Sequence, residues 1–280
     1  MSETPAAGPP ATDDAAHPED LPSLLRLEQH GPDTWVGSSV PTPWNRVFGG
    51  QVVAQALWAA ALTVEEAYVV HSLRAYFIRG GDLFEPIRFE VDRIRNGRSF
   101  VTRRVVARQS AGAILNLDAS FQVPEDLADV QPRRMPSVPP PDECVKLNWG
   151  PLNDRRLAVV DQEEGHIIAW MPVHDPLPEP LGVGAACSLA FASDDGPMMA
   201  ARTLHPIAWP PGPNDRVAMS ASLDHASWFH RPLPTTGWLL YDLRASGWHG
   251  GRGLGFGSVF APDGTHVASV AQEALVREVG

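Results

Sequence analysis

The sequence predicts an α+β chain in which two antiparallel sheets each wrap one buried helix. Three observations carry that prediction. The stretch RVFGGQVVAQALWAAALTV, Arg46 to Val64, is a helix-length run with no polar face. Alternating strands follow it, and the same order of helix and strands recurs in the second half of the chain. A chain of 280 residues, 44% of them hydrophobic and 20% charged, has enough apolar material to build such cores.

The elements follow in order. Residues 1–22 are expected to be a disordered tail: Pro5, Pro9, Pro10 and Pro18 occur with five acidic residues and without the apolar segment a signal peptide requires. Only Cys144 and Cys187 are present, without disulfide or metal spacing, so a reducing, cytoplasmic setting is expected. The net charge of -11 argues against nucleic acid and anionic membrane as partners, because both select a basic surface.

The Arg46 to Val64 run stops at Glu65 and Glu66, short of the roughly 20 apolar residues that span a bilayer. A helix apolar on every side is a core helix, and a curved sheet wrapped around it is one way to bury it. From Ala67 to Val123 the period changes to two. Ile87, Phe89 and Val91 alternate with Arg88, Glu90 and Asp92, and Leu115 to Val123 repeat the pattern. Asn96-Gly97 and Ser110 to Gly112 separate the runs as hairpin turns, so residues 23–124 read as one helix followed by about four strands.

Residues 125–150 read as a linker, with five prolines between Pro132 and Pro141. In residues 151–280 a second glycine-led apolar run, LGVGAACSLAFASDDGP from Leu181 to Pro197, precedes four more strand-like segments. Ser72-Leu73 and Ser222-Leu223 lie fifty residues before Gln122 and Gln272 respectively, with Gly112 or Gly264 between them. Equal spacing and shared element order predict a tandem repeat, that is, a double hotdog.

Five segments carry a family resemblance. VFGGQVVAQAL, HSLRAYFIRGGD and FQVPED in the first half, with SLDHASWFHRP and ASVAQEALVRE in the second, are similar to the acyl-CoA thioesterase II family of double-hotdog enzymes. The resemblance runs from about Leu24 to Arg277 and weakens in the proline linker and around Asp195 to Pro213. It implies hydrolysis of fatty acyl-CoA by water, with no covalent acyl-enzyme, cofactor or metal, in a homodimer or larger homo-oligomer. The family's catalytic aspartate, hydroxyl residue and glutamine fall on Asp194, Ser222 and Gln272. The hydroxyl residue, commonly threonine in the family, is serine here, and Asp195-Gly196-Pro197 replaces bulkier apolar residues.

The residues themselves leave alternatives open. Gln272 shares a strand face with Val270 and Ala274, so its amide needs a buried partner, equally a backbone group or a catalytic one. Asp194 either ends an apolar helix, where the dipole opposes its charge, or joins Ser193 in capping a following helix. Ser222 alone reads as an ordinary strand serine. Backbone N–H groups at Gly50 and Gln51, in the glycine-led helix start, are candidate oxyanion donors, as is the segment from Gly182 to Gly184.

Other chemistry finds less support. GGRGLGFG, Gly250 to Gly257, opens no helix and reads as a glycine-rich strand or bulge, and His225 and His230 fall on opposite strand faces, which disfavours a shared metal. Seven arginines between Arg88 and Arg108 suit either CoA phosphates or a solvated strand face. Two alternatives stay beside the thioesterase: a hotdog enoyl-CoA hydratase or dehydratase using Asp224-His225, and a non-catalytic acyl-CoA-binding protein.

Overall fold

A computed structural model describes residues 18–150, 152–205 and 218–278. The expected tail lies outside these residues up to position 17, but its last part is structured. Asp20 caps a short helix, α1 (Leu21–Leu24), by accepting the Ser23 N–H at 2.8 Å, and Leu21 and Leu24 are buried. Strands β1 (Glu28–Gly31) and β2 (Thr34–Gly37) come next, then the long apolar helix α2 (Gly49–Ala61). Four strands follow as expected: β3 (Val69–Phe77), β4 (Ile87–Asn96), β5 (Phe100–Gln109) and β6 (Gly112–Gln122). The alternation is realised, since Ile87, Phe89, Leu115, Leu117, Ala119 and Phe121 are all buried.

The proline segment is shorter than predicted. It ends in a 3-10 turn, Pro141–Glu143, and Val145–Gly150 form strand β7, paired with β8 (Asn153–Asp161), which pairs in turn with β9 (His166–Pro172). Its earlier part straps the second half: Trp170 Nε1 donates to Pro139 O at 2.9 Å, and Gln131 bonds Gly264 O and His266 N.

The second apolar run forms α3 (Leu181–Ser193), and a following helix, one of the two readings left open there, is present as α4 (Gly196–Thr203). Then come β10 (Ala218–Ser222), β11 (Asp224–Phe229), β12 (Trp238–His249), β13 (Arg252–Phe260) and β14 (His266–Glu278). The GGRGLGFG segment turns at Gly250 and Gly251 and is strand from Arg252 on. Its glycines let α4 lie directly on the sheet: a methyl on Gly255 would stand 2.4 Å from the carbonyl oxygen of Pro197.

Two separate sheets were expected, and here the structure differs. β3 pairs with β11, so the strands join into one sheet of fourteen, ordered β1-β2-β4-β5-β6-β3-β11-β14-β13-β12-β9-β8-β7, with β10 also on β14. Each half leaves the edge of one strand free, and pairing them satisfies backbone groups that would otherwise be open. Within the halves the orders β2-β4-β5-β6-β3 and β9-β12-β13-β14-β11 correspond strand for strand.

Helix α2 is dry for a second reason besides its own sheet: α3 packs against it through Ala186, Cys187, Ala190 and Phe191. The approach is close enough that a methyl on Gly50 would stand 2.2 Å from Phe191 O, which only glycine avoids. The glutamines inside α2 are fully buried and satisfied. Gln51 accepts the Val40 N–H at 3.0 Å and donates to Ser39, while Gln55 donates to Leu24 O and Ser38 O, so the pair fastens the N-terminal segment to the helix.

Candidate active site

The antiparallel contact of α2 and α3 sets the start of one helix beside the end of the other. Asp194, the first residue after α3, therefore faces the first turn of α2, and it keeps helical backbone angles. The Gly50 N–H donates to its carboxylate. First-turn amides have no acceptor within their own helix, so a carboxylate there is a natural partner. Gly49 leaves no room for a side chain, because a methyl would stand 2.5 Å from Asp194 Oδ2 and 2.8 Å from the Phe77 ring.

Ser222 and Gln272 reach the same point from the sheet. Ser222 ends β10 and pairs with Ala274 of β14, two residues beyond Gln272 on the same face. Leu223, Phe77 and Glu273 hold the irregularity between β10 and β11: the Leu223 N–H donates to Glu273 O at 2.9 Å and the Phe77 N–H to Leu223 O at 3.0 Å. Gln272 Nε2 donates to Asp194 Oδ1 at 2.8 Å and to Ser222 Oγ at 3.0 Å, and the Ser222 hydroxyl also bonds the carboxylate. The amide's orientation is fixed from behind, since Gln272 Oε1 accepts the Met198 N–H at 3.1 Å from the first turn of α4.

The three residues that the family pattern singled out are thus brought into one hydrogen-bonded cluster. The capping alternative for Asp194 does not apply: its carboxylate turns to Gly50, Ser222 and Gln272. Gln272 has both a backbone and a side-chain partner: its carbonyl accepts the Met198 N–H and its amide donates to Asp194 and Ser222.

Burial dominates the electrostatics. Asp194 is 2% exposed, and loss of water raises its carboxyl group to about 7, with the negative charge of Asp195 adding to the rise. The bonds from Ser222 and Gly50 and the charge of Arg155 oppose it without reversing it. A carboxylate poised near neutral pH can take a proton from water and return it.

The other candidates sort differently. Gly50, offered as an oxyanion donor, has its N–H on Asp194, and the side chain of Gln51 is occupied in the network around Ser39 and Val40. Asp224 and His225 do not form a dyad: Asp224 Oδ1 accepts the Glu273 N–H at 2.6 Å, while His225 Nε2 bonds the Ser193 and Ser227 hydroxyls. Burial holds His225 neutral, pushed down to about 3. Of the arginine-rich strands, Arg88, Arg93, Arg104 and Arg108 form surface ion pairs with Glu90, Asp33, Asp118 and Glu90, and Arg103 is buried on Thr63 and Asn96.

Two contributors had no reading in the sequence. Met198 lies past a Gly-Pro pair that resembles a turn, and Arg155 of β8 is a buried cation that bonds Asp195 and Asn153. The alternation in NDRRLAVVD, which sets Arg155 on the face of Asn153 and Leu157, was the available signal for the second.

Comparisons with known proteins show which family the chain resembles along its length. Residues 40–122 match the family model for the acyl-CoA thioesterase N-terminal domain, and residues 124–276 match that for the C-terminal domain. The chain is 32% identical to human acyl-coenzyme A thioesterase 8, over 98% of this chain and 96% of that protein. It is 34% identical to acyl-CoA thioesterase 2 of Haemophilus influenzae, over 92% and 97% of the two. The crystal structure of an acyl-CoA thioesterase II, TesB2, from Mycobacterium marinum superposes with a TM-score of 0.77 at 36% identity, covering 92% of this chain and 98% of that one. A hot dog fold protein of unknown function from Alicyclobacillus acidocaldarius, 21% identical with a TM-score of 0.75 over 92% and 97%, shares the fold.

Proposed function

The chain belongs to the acyl-CoA thioesterase II family and is an acyl-CoA thioester hydrolase; from that premise we propose that it converts fatty acyl-CoA to free acid and CoA by direct attack of water, with Asp194 as the base. The observation that carries this reading is the Asp194, Ser222 and Gln272 cluster, in which a carboxylate raised to about 7 is held by two neutral hydrogen-bond partners.

A thioester carbonyl is electrophilic and thiolate is a good leaving group, so the enzyme has chiefly to orient and deprotonate a water. Asp194 takes one proton of that water as the O–C bond forms. The C–S bond then breaks, and the proton passes to the departing CoA sulfur. Both amide hydrogens of Gln272 are directed at Asp194 and Ser222, so its part is to hold the carboxylate and the hydroxyl; Ser222 is the group that orients the water. In the first turn of α2 the Gly50 N–H is already given to Asp194, so the backbone N–H of Gln51 is the donor left for the oxyanion.

The matching strand orders support reading the two halves as a tandem repeat, a double hotdog with one active centre. α2 and α3 have thirteen residues each, and the residue after α2, in the place Asp194 holds after α3, is the apolar, exposed Leu62. No base stands there. A homodimer or larger assembly and a cytoplasmic setting complete the reading, the latter in keeping with two free thiols, Cys144 and Cys187.

The test is a panel of acyl-CoAs assayed for both CoA release and enoyl hydration. Release of CoA without hydration supports the hydrolase. Hydration without release would support the hydratase alternative, and saturable binding with neither reaction would make the protein a carrier.

A further inference from the structure

Asp195 stands at the N-cap of α4, where an aspartate ordinarily accepts the backbone N–H of the second or third helical residue. Neither acceptor role is open to it. The second residue is Pro197, which has no N–H, and the N–H of the third, Met198, is given to Gln272 Oε1 at 3.1 Å. No side-chain capping bond forms. The carboxylate turns instead to β8, where it meets Arg155 Nη1 in an ion pair. Arg155 is 2% exposed, its Nη2 donates to Asn153 Oδ1 at 2.9 Å, and its Nε is buried without a partner among the described residues.

A buried guanidinium with an unsatisfied N–H is costly to keep, and an apolar side chain of similar size would fill the space more cheaply. Its presence beside the turn that presents Asp194 calls for a reason in the site. We propose that Arg155 and Asp195 are positioning residues of the active centre: the pair pins the α3–α4 turn to β8 and sets the electrostatic field in which Asp194 works. This rests on Asp194 being the base.

The charges facing Asp194 are few. From its own turn comes Asp195, and from β8 comes Arg155; Gly50 of α2, Ser222 of β10 and Gln272 of β14 are neutral partners. The His225 ring of β11 lies behind Ser193 and is held neutral by burial. Asp195 opposes ionisation of Asp194 and Arg155 favours it, so removing either should move the acid limb of activity in opposite directions.

The experiment is the pH profile of kcat/KM on one medium-chain acyl-CoA for the parent, Asp195→Asn and Arg155→Gln, with thermal unfolding of each. Asp195→Asn should shift the acid limb to lower pH and Arg155→Gln to higher pH, each by about half a pH unit or more. Either variant suffices if the other fails to fold. A folded variant that loses activity or stability with its limb unmoved, or moved the wrong way, overturns the proposal, since a purely structural pair would behave so. Asp194→Asn separates this from failure of the underlying reading: if that variant keeps turnover and limb, the base is elsewhere; if it is inactive while the pair's variants leave the limb in place, only the present inference falls.

Discussion

Gln272 and Asp194, 78 residues apart in sequence, are joined by a hydrogen bond of 2.8 Å that is buried on both sides. The contact exists because β14 and the α3–α4 turn meet over the first turn of α2. Because the Met198 N–H fixes the other end of the amide, Gln272 can only donate toward Asp194 and Ser222.

Gln272→Ala should therefore remove most of kcat, and lower Tm as well, because it leaves the buried Met198 N–H unpaired. Gln122→Ala, at the matching register of the first half, should leave kcat within a few-fold of the parent. Steady-state kinetics of the two variants check this. Equal losses would show that the halves act together or that each holds a site.

Asp194 should cost stability in proportion to its ionisation. Its folded value of about 7 lies above the ordinary 3.8, so the folded state holds the proton more tightly, and the associated stability is present below about pH 4 and lost as pH rises through 7. Asparagine mimics the protonated form. The Tm of Asp194→Asn relative to the parent should rise between about pH 4 and about pH 7 and level off above that. A relative Tm that is constant or falls over that range would contradict the raised value.

Gly50→Ala should force α2 and α3 apart, because the added methyl meets a backbone oxygen that no rotamer change can move. We expect a loss of about 1–3 kcal/mol or more in denaturant unfolding. An unchanged midpoint would mean that the helix contact is looser than the geometry shows.

Trp58→Asp should prevent soluble folding. Trp58 is a buried residue of α2, and an unpaired carboxylate there has no water to reach. Recovery of a stable, soluble variant with the parent's circular dichroism would show that the helix is not enclosed.

What could be read from the sequence followed the range of the signal. Strand alternation is local, and residues such as Phe89 and Leu117 declare their faces without help. The pairing of β3 with β11 is not local, so the single sheet was unreadable. A helix after Asp194 was one of two open readings, and α4 is that helix, with Asp195 at its N-cap and proline at home in its first turn. Asp194, Ser222 and Gln272 were each ambiguous from their own neighbours. The family motifs raised them together, and their common ground is a tertiary meeting of α2, α3, β10 and β14. Arg155 had only its strand face to announce it.

The most direct measurement is the turnover of Asp194→Asn on an acyl-CoA that the parent hydrolyses, made alongside a binding measurement with the same thioester. If Asp194 deprotonates the attacking water, kcat falls by roughly two to four orders of magnitude while the fold and thioester binding persist. Near-parental turnover in the folded variant would contradict the account and remove Asp194 from the mechanism.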